Sequence, residues 1–264
     1  MSAARSEIEA LLALMRTLRD PERGCPWDRV QSFASIARYT IEEAYELSDA
    51  IEREDMARLR DELGDLLFQV IFNARIAEEQ GLFDFAAVAR GLHEKLVRRH
   101  PHVFAEPREL ASDELQSSWE AHKAHERQAS GRHGTLADVP RALPALARAF
   151  KLGQRAGRVG FDWQRADQVS AKVREELAEL EAAIEGGAQE SIAEEFGDLL
   201  FALANWARHL QIEPESALRQ STHKFERRFE QMEALAAARG LVLAQLSAAQ
   251  WDELWNEVKV HPKD

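Results

Sequence analysis

The sequence predicts an all-α chain made of two related helical units, on three observations. There is an internal repeat, apolar residues recur every three or four positions through most of the chain, and no alternating run is long enough for a sheet core. The repeat is carried by four carboxylates. Glu43, Glu46, Glu62 and Asp65 return as Glu176, Glu179, Glu195 and Asp198, all displaced by the same 133 positions (176 − 43 = 198 − 65). Outside this block the displacement drifts, as unequal loops require. "GCPWD" at 24–28 is loosely matched by "GFDW" at 160–163, "KLVRR" (Lys95, Arg98, Arg99) by "KFERR" (Lys224, Arg227, Arg228), and "WEAHK" (Trp119, Lys123) by "WNEVK" (Trp255, Lys259). The polar, glycine-containing "QASGRHG" at 128–134 reads as a linker, giving an N-terminal domain over 1–127 and a C-terminal domain over 135–264.

The elements follow in chain order. The N-terminal "MSAARSEIEALLALMRTLRD" holds only a six-residue uncharged apolar run, too short for a signal-peptide core or a membrane span. "TIEEAYELSDAIER" and "DELGDLLFQVIFNARIA" are expected as amphipathic helices, the second stopped by Gly81; "DFAAVARGLHEKLVRRH" is a third, ended by Pro101. In the second unit "SAKVREELAELEAAIE" and "EEFGDLLFALANWARHL" are separated by Gly186-Gly187, and "ESALRQSTHKFERRFEQMEALAAARG" follows as a long helix.

Composition narrows the functional classes. With 30 % charged and 45 % hydrophobic residues and one cysteine, Cys25, a soluble protein of a reducing, cytoplasmic compartment is expected. A net charge of −12 and the lack of a basic stripe speak against a long nucleic acid as partner. The phosphate loop G-x-x-x-x-G-K-[ST], the G-x-G-x-x-G fingerprint, the H-E-x-x-H zinc site and the G-x-S-x-G elbow are all missing.

The carboxylates need a reason. Residues three apart share a helix face, so Glu176 with Glu179 and Glu195 with Asp198 form two acidic edges that an antiparallel hairpin can aim at one point; Glu43, Glu46, Glu62 and Asp65 do the same in the first copy. Gly197 and Gly64, inside these helices, are expected to let another helix approach closely, at a cost of roughly 1 kcal/mol in helix propensity. Convergent carboxylates repel unless a cation neutralises them, and an all-oxygen set suits a hard ion, Mg²⁺ or Mn²⁺, rather than redox iron. Magnesium is commonly shared with substrate phosphates, for which the clusters Lys224, Arg227, Arg228 and Lys95, Arg98, Arg99 offer clamps. Trp255 and Trp119 each precede a lysine by four residues, Lys259 and Lys123.

At these residues the sequence resembles the MazG family of nucleoside triphosphate pyrophosphohydrolases in its two-domain form. The resemblance runs through "GCPWD", "YTIEEAYELSDAI", "DELGDLLFQVIF", "KLVRRHPHVF" and "WEAHK", then "VGFDW", "EELAELEAA", "EEFGDLLFALANWARHL", "KFERRF" and "LWNEVK". It implies tandem all-α MazG-type helical bundles, a homodimer, and Mg²⁺-dependent hydrolysis of nucleoside triphosphates to monophosphate and pyrophosphate by attack of water at the α-phosphoryl group. It makes Glu176, Glu179, Glu195 and Asp198 the catalytic metal ligands and Lys224, Arg228 and Trp255 substrate contacts, with the C-terminal copy the main catalytic one. Where such C-terminal domains can carry a lysine shortly before E-x-x-D, this chain has Ser191. Glu175 and Glu42 are candidate general bases. A nucleotide-binding regulatory module with little turnover is the competing class, and a purely structural bundle without metal affinity a third.

Overall fold

The computed structural model describes residues 3–105 and 134–260, and the chain separates into two compact units, 1–126 and 127–264. Among the described residues the regular structure is helical throughout. None of the described helices is long and apolar enough to cross a membrane. The proposed linker 128–134 lies outside the described residues except for Gly134.

In the first unit, α1 (Ala3–Leu18) leads through a short 3₁₀ turn (Asp28–Val30) to α2 (Phe33–Glu52), α3 (Met56–Glu79), α4 (Phe85–Arg99) and the single turn α5 (Pro101–Phe104). Local chemistry sets these boundaries. Ser32 and Ser35 form a reciprocal capping box at the start of α2, and the Asp55 carboxylate accepts from the amides of Ala57 and Arg58 to open α3. Helix α3 stops at Gly81, whose φ of +67° is the left-handed conformation that glycine tolerates. Pro101 cannot continue α4 and instead starts α5. The hairpin α2–α3 is the main packing unit, with α1 and α4 against α3. Its core is Met15, Ile36, Ile71, Phe72 and Ile76.

The second unit repeats the plan with α6 (Ala145–Gly157), α7 (Ala166–Gly186), α8 (Gln189–His209), α9 (Pro214–Ala238) and α10 (Ala248–Val260). The hairpin α7–α8 is again central, α6 packs on α8, and α9 packs on α6, α8 and α10. Gly187 (φ +73°) closes α7 as the Gly-Gly turn predicts, and its counterpart in the first unit, Glu54, takes the same left-handed conformation at φ +56° without glycine's freedom.

The close helix approach expected at Gly64 and Gly197 is not made there. A Cβ at either glycine would meet nothing within 4 Å, whereas one at Gly153 of α6 would fall 2.0 Å from the Asn205 Oδ1 of α8. The buried stripe of α8 is Ala202, Ala204 and Asn205, small enough for α6 to come near. Phe196 and Leu200, on the same helix as Glu195 and Asp198, remain exposed within the chain.

Candidate active site

The hairpin α7–α8 brings three of its four predicted carboxylates together. One oxygen each from Glu176, Glu179 and Glu195 lie within 4.8 Å of one another, with Glu176 buried, Glu195 half-buried and Glu179 exposed. Asp198, one turn further along α8, is exposed and stands outside this group. Burial, together with the charge of Glu176, a hydrogen bond to it and the charge of Glu195, raises the Glu179 pKa above the ordinary glutamate value. A group that resists full ionisation in this way is one that a bound cation would relieve.

Part of that relief is already present. Lys172, one turn before Glu176 on α7, puts Nζ 2.9 Å from Glu176 Oε1 and 2.6 Å from Glu175 Oε1. The two hydrogen bonds, to Glu175 and then Glu176, hold the lysine well above its usual pKa. Glu175, a candidate base, is thereby paired with Lys172.

The first copy has the same plan with different partners. Glu43, Glu62 and Asp65 each place an oxygen within 4.8 Å of the others, Glu62 being the buried member. Glu46 stands outside this triplet. The charge of Glu62 first, then burial and a hydrogen bond to Glu62, raise the Glu46 pKa; burial first, then Asp65, Glu46 and Glu62, raises that of Glu43. The neutralising group here is Arg58, whose Nε lies 3.0 Å from Glu62 Oε1 and whose Nη1 lies 3.3 Å from Asp49 Oδ2. Arg58 occupies the place that Ser191 holds in the second copy (191 − 58 = 133). Each acidic group therefore has one resident cation, donated by the second helix of the hairpin in one copy and by the first helix in the other.

The basic residues sit on neighbouring helices. Lys224, Arg227 and Arg228 lie on α9, where the Arg228 guanidinium is 5.8 Å from the centre of the Trp255 ring. Trp255 also packs on Phe225, with ring centres 5.6 Å apart, and against the core of Met232, Ala236, Leu254 and Val258. Its packing role is thus established alongside any contact with substrate. Lys95, Arg98 and Arg99 lie at the end of α4 in the first unit. Lys123 and Trp119 fall outside the described residues.

Sequence reasoning did not single out the anchor of the "GFDW" turn. Asp162 accepts from Arg208 Nη1 at 2.7 Å and Nη2 at 2.5 Å and lies 2.9 Å from His209 Nε2. The Arg208 hydrogen bonds above all hold the Asp162 pKa down at about 2. Trp163 follows directly and meets the His209 ring edge-on, with ring centres 6.4 Å apart. The adjacent Arg-His pair at the end of "NWARHL" and the aspartate of "GFDW" carry this link in the sequence, 46 and 47 positions apart. Lys172 was findable too, since i, i+4 from a buried glutamate is the spacing of a helical ion pair.

Comparison with known proteins gives one consistent result. The model of the MazG nucleotide pyrophosphohydrolase domain matches the chain twice, at residues 31–104 and 164–232. The chain is 49 % identical over 256 residues to the nucleoside triphosphate pyrophosphohydrolase of Escherichia coli strain K12, covering 96 % of this chain and 97 % of the relative. It is 42 % identical over 259 residues to the nucleoside triphosphate pyrophosphohydrolase/pyrophosphatase MazG of Thermotoga maritima, covering 98 % of each. A Bacillus subtilis protein described as uncharacterized protein YabN is 42 % identical over 254 residues, which are 96 % of this chain and 52 % of that one.

Proposed function

The chain belongs to the MazG nucleotide pyrophosphohydrolase family, and from that premise we propose that it hydrolyses nucleoside triphosphates to nucleoside monophosphate and pyrophosphate by attack of water at the α-phosphoryl group. The observation that carries this reading is the convergence of Glu176, Glu179 and Glu195 around a buried carboxylate. Three hard oxygen donors within 4.8 Å, one with its ionisation opposed by its neighbours, fit a divalent cation. Glu176, Glu179 and Glu195 would hold it, with Asp198 joining from the next turn of α8. Magnesium, with manganese as substitute, matches the all-oxygen set. When bound, such an ion supplies positive charge to the phosphoryl oxygens and to the departing pyrophosphate.

The chain's own cations supply the rest. Lys224, Arg227 and Arg228 neutralise the outer phosphates, and Trp255, stacked under Arg228, fixes that guanidinium. The second copy is assigned the main turnover. That ranking follows the family resemblance, since each copy has a resident cation on its buried glutamate, Arg58 on Glu62 in the first and Lys172 on Glu176 in the second; Glu43, Glu46, Glu62, Asp65, Lys95, Arg98 and Arg99 form the parallel site, to which the resemblance adds Lys123. Exposed apolar side chains such as Phe196, Leu200 and Phe201 support a homodimer, in which a second copy would cover them. The single cysteine suits a cytoplasmic location.

Product analysis with a panel of nucleoside triphosphates and Mg²⁺ tests the reading. Monophosphate and pyrophosphate are expected, with turnover nearly abolished in Glu176→Gln and Asp198→Asn and largely kept in Asp65→Asn. Tight Mg²⁺-dependent binding without products would favour a regulatory module. Diphosphate and orthophosphate would refute the cleavage position.

A further inference from the structure

Helices α1 and α4 both pack on α3, and between them the first unit leaves a cleft of about 120 Å³. Its floor is apolar, since Met15 and Ile71 belong to the buried core and Leu12 and Phe85 pack against that core. Its walls carry two cations, Arg16 and Arg75, and two anions, Glu78 and Asp84. We propose that this cleft binds a free α-amino acid with an aliphatic side chain, holding the carboxylate on Arg16, the ammonium on Asp84 and the side chain against the floor.

Size, charge and hydrogen-bonding capacity together select this class of ligand. The cleft is smaller than the roughly 300–1,000 Å³ of sites for drug-sized molecules and close to the roughly 150 Å³ that accommodates a benzene ring, so it takes a short aliphatic chain and not a nucleotide. Two charges of each sign leave no net field to attract a simple anion or cation, whereas a zwitterion meets both. Arg75 is already engaged, with Nη1 3.1 Å from Glu78 Oε2 and Nε 2.9 Å from Glu79 Oε1. Arg16 is held more loosely. Its Nη2 lies 3.8 Å from Glu78 Oε1, beyond hydrogen-bond length, so its guanidinium can turn to a carboxylate. Asp84 accepts from the Ala87 amide through Oδ1 at 2.7 Å as the cap of α4, which leaves Oδ2 to accept from an ammonium.

The place is distinct from the carboxylate hairpin. Its α3 residues run from Ile71 to Glu78, about 9–20 Å along the helix from Asp65 at about 1.5 Å per residue. The second unit is built differently at the matching place: the start of α9 is fastened directly to α6, with Pro214 buried and Glu215 accepting from the Ala147 amide at 3.4 Å. In the first unit the start of α4, Asp84-Phe85-Ala86, borders the cleft instead. An occupant therefore bridges three helices, α1, α3 and α4, and stabilises their packing by binding the folded state alone.

The test is titration calorimetry on the full-length protein with L-leucine, glycine, 4-methylpentanoate, which is leucine without its ammonium, and 3-methylbutylamine, which is leucine without its carboxylate. Leucine is expected to bind with a Kd near or below about 1 mM, and each of the other three at least about 10-fold more weakly, because each lacks one of the three contacts. Arg16→Gln and Asp84→Asn should each weaken leucine binding by about 10-fold or more. Both side chains are exposed, so neither exchange disturbs the core, and asparagine caps α4 as well as aspartate does. Wild-type protein that gives no saturable heat with leucine at about 10 mM, an analogue that binds as tightly as leucine, or leucine binding unchanged in Arg16→Gln or Asp84→Asn would each overturn the proposal. The readout involves no nucleotide, so its failure is distinct from failure of the pyrophosphohydrolase reading, which the product analysis decides.

Discussion

Gly153→Ala should destabilise the second unit, although alanine is the better helix former. In an open helical position the exchange stabilises by about 0.5–1 kcal/mol. At Gly153 the new methyl would stand 2.0 Å from Asn205 Oδ1, 1.4 Å short (3.4 − 2.0) of ordinary contact, and 3.2 Å from Arg208 Nε. Asn205 is only 1 % exposed and donates to the Phe201 carbonyl, so it has little room to withdraw. Overpacking of this kind costs about 1–3 kcal/mol, and disturbing the buried amide adds about 1 kcal/mol. A net loss of about 2–3 kcal/mol is expected, visible as a melting transition lowered by roughly 6–15 °C for a unit of this size. Calorimetric melting of the full-length protein measures it, with Gly91→Ala as the control of opposite sign because nothing lies within 4 Å of a Cβ there. In an Asn205→Ala background the Gly153→Ala cost should shrink by about 1–2 kcal/mol, since the obstructing group is gone. Equal cost in both backgrounds, or no cost in the wild type, would refute the close approach of α6 and α8.

The remaining predictions concern pH and turn chemistry. Asp162→Asn should lower stability by about 1–1.5 kcal/mol near neutrality, a pKa-based value of roughly 2.4 kcal/mol reduced for partial exposure. The aspartate is held at about 2 when folded against an ordinary 3.8, so its contribution is full above pH 4 and fades as pH falls toward 2; urea unfolding at several pH values should show the wild-type advantage narrow only below about pH 4. Glu54→Gly should stabilise the first unit by about 0.5–1 kcal/mol, by relieving the left-handed strain at φ +56° that its counterpart Gly187 avoids, and an unchanged or lower melting temperature would contradict this.

The carboxylate hairpins were legible because four identities recur at one displacement and because capping residues and glycine stops mark the helix ends. The pairing of these helices then followed from the short turn between them. Two kinds of detail were not readable. Apolar spacing defines a stripe but not its neighbour, so the sequence could not show that Ala202, Ala204 and Asn205 would be buried while Phe196 and Leu200 stay exposed within the chain. The idea that glycine permits close helix approach was sound, but the glycine that serves it is Gly153 on α6 rather than Gly64 and Gly197 beside the acidic residues. The second kind is long-range polar pairing. The link from Asp162 to Arg208 and His209 spans 46 and 47 positions, and no local rule connects them. The resident cations are intermediate: Arg58 and Lys172 each stand four residues from a buried glutamate, yet charged pairs at that spacing are common on solvated faces, and burial of Glu62 and Glu176 is what gives these two their weight.

The most direct test of the central claim is the position of bond cleavage. Hydrolysis of a nucleoside triphosphate by the full-length protein in ¹⁸O-enriched water, followed by mass spectrometry of both products, reports which phosphorus the water attacked. Attack at the α-phosphoryl group places one ¹⁸O in the nucleoside monophosphate and leaves the pyrophosphate unlabelled, the result this account predicts. Label in the pyrophosphate instead would mean attack at the β-phosphorus and would contradict the proposed arrangement of substrate over Glu176, Glu179 and Glu195.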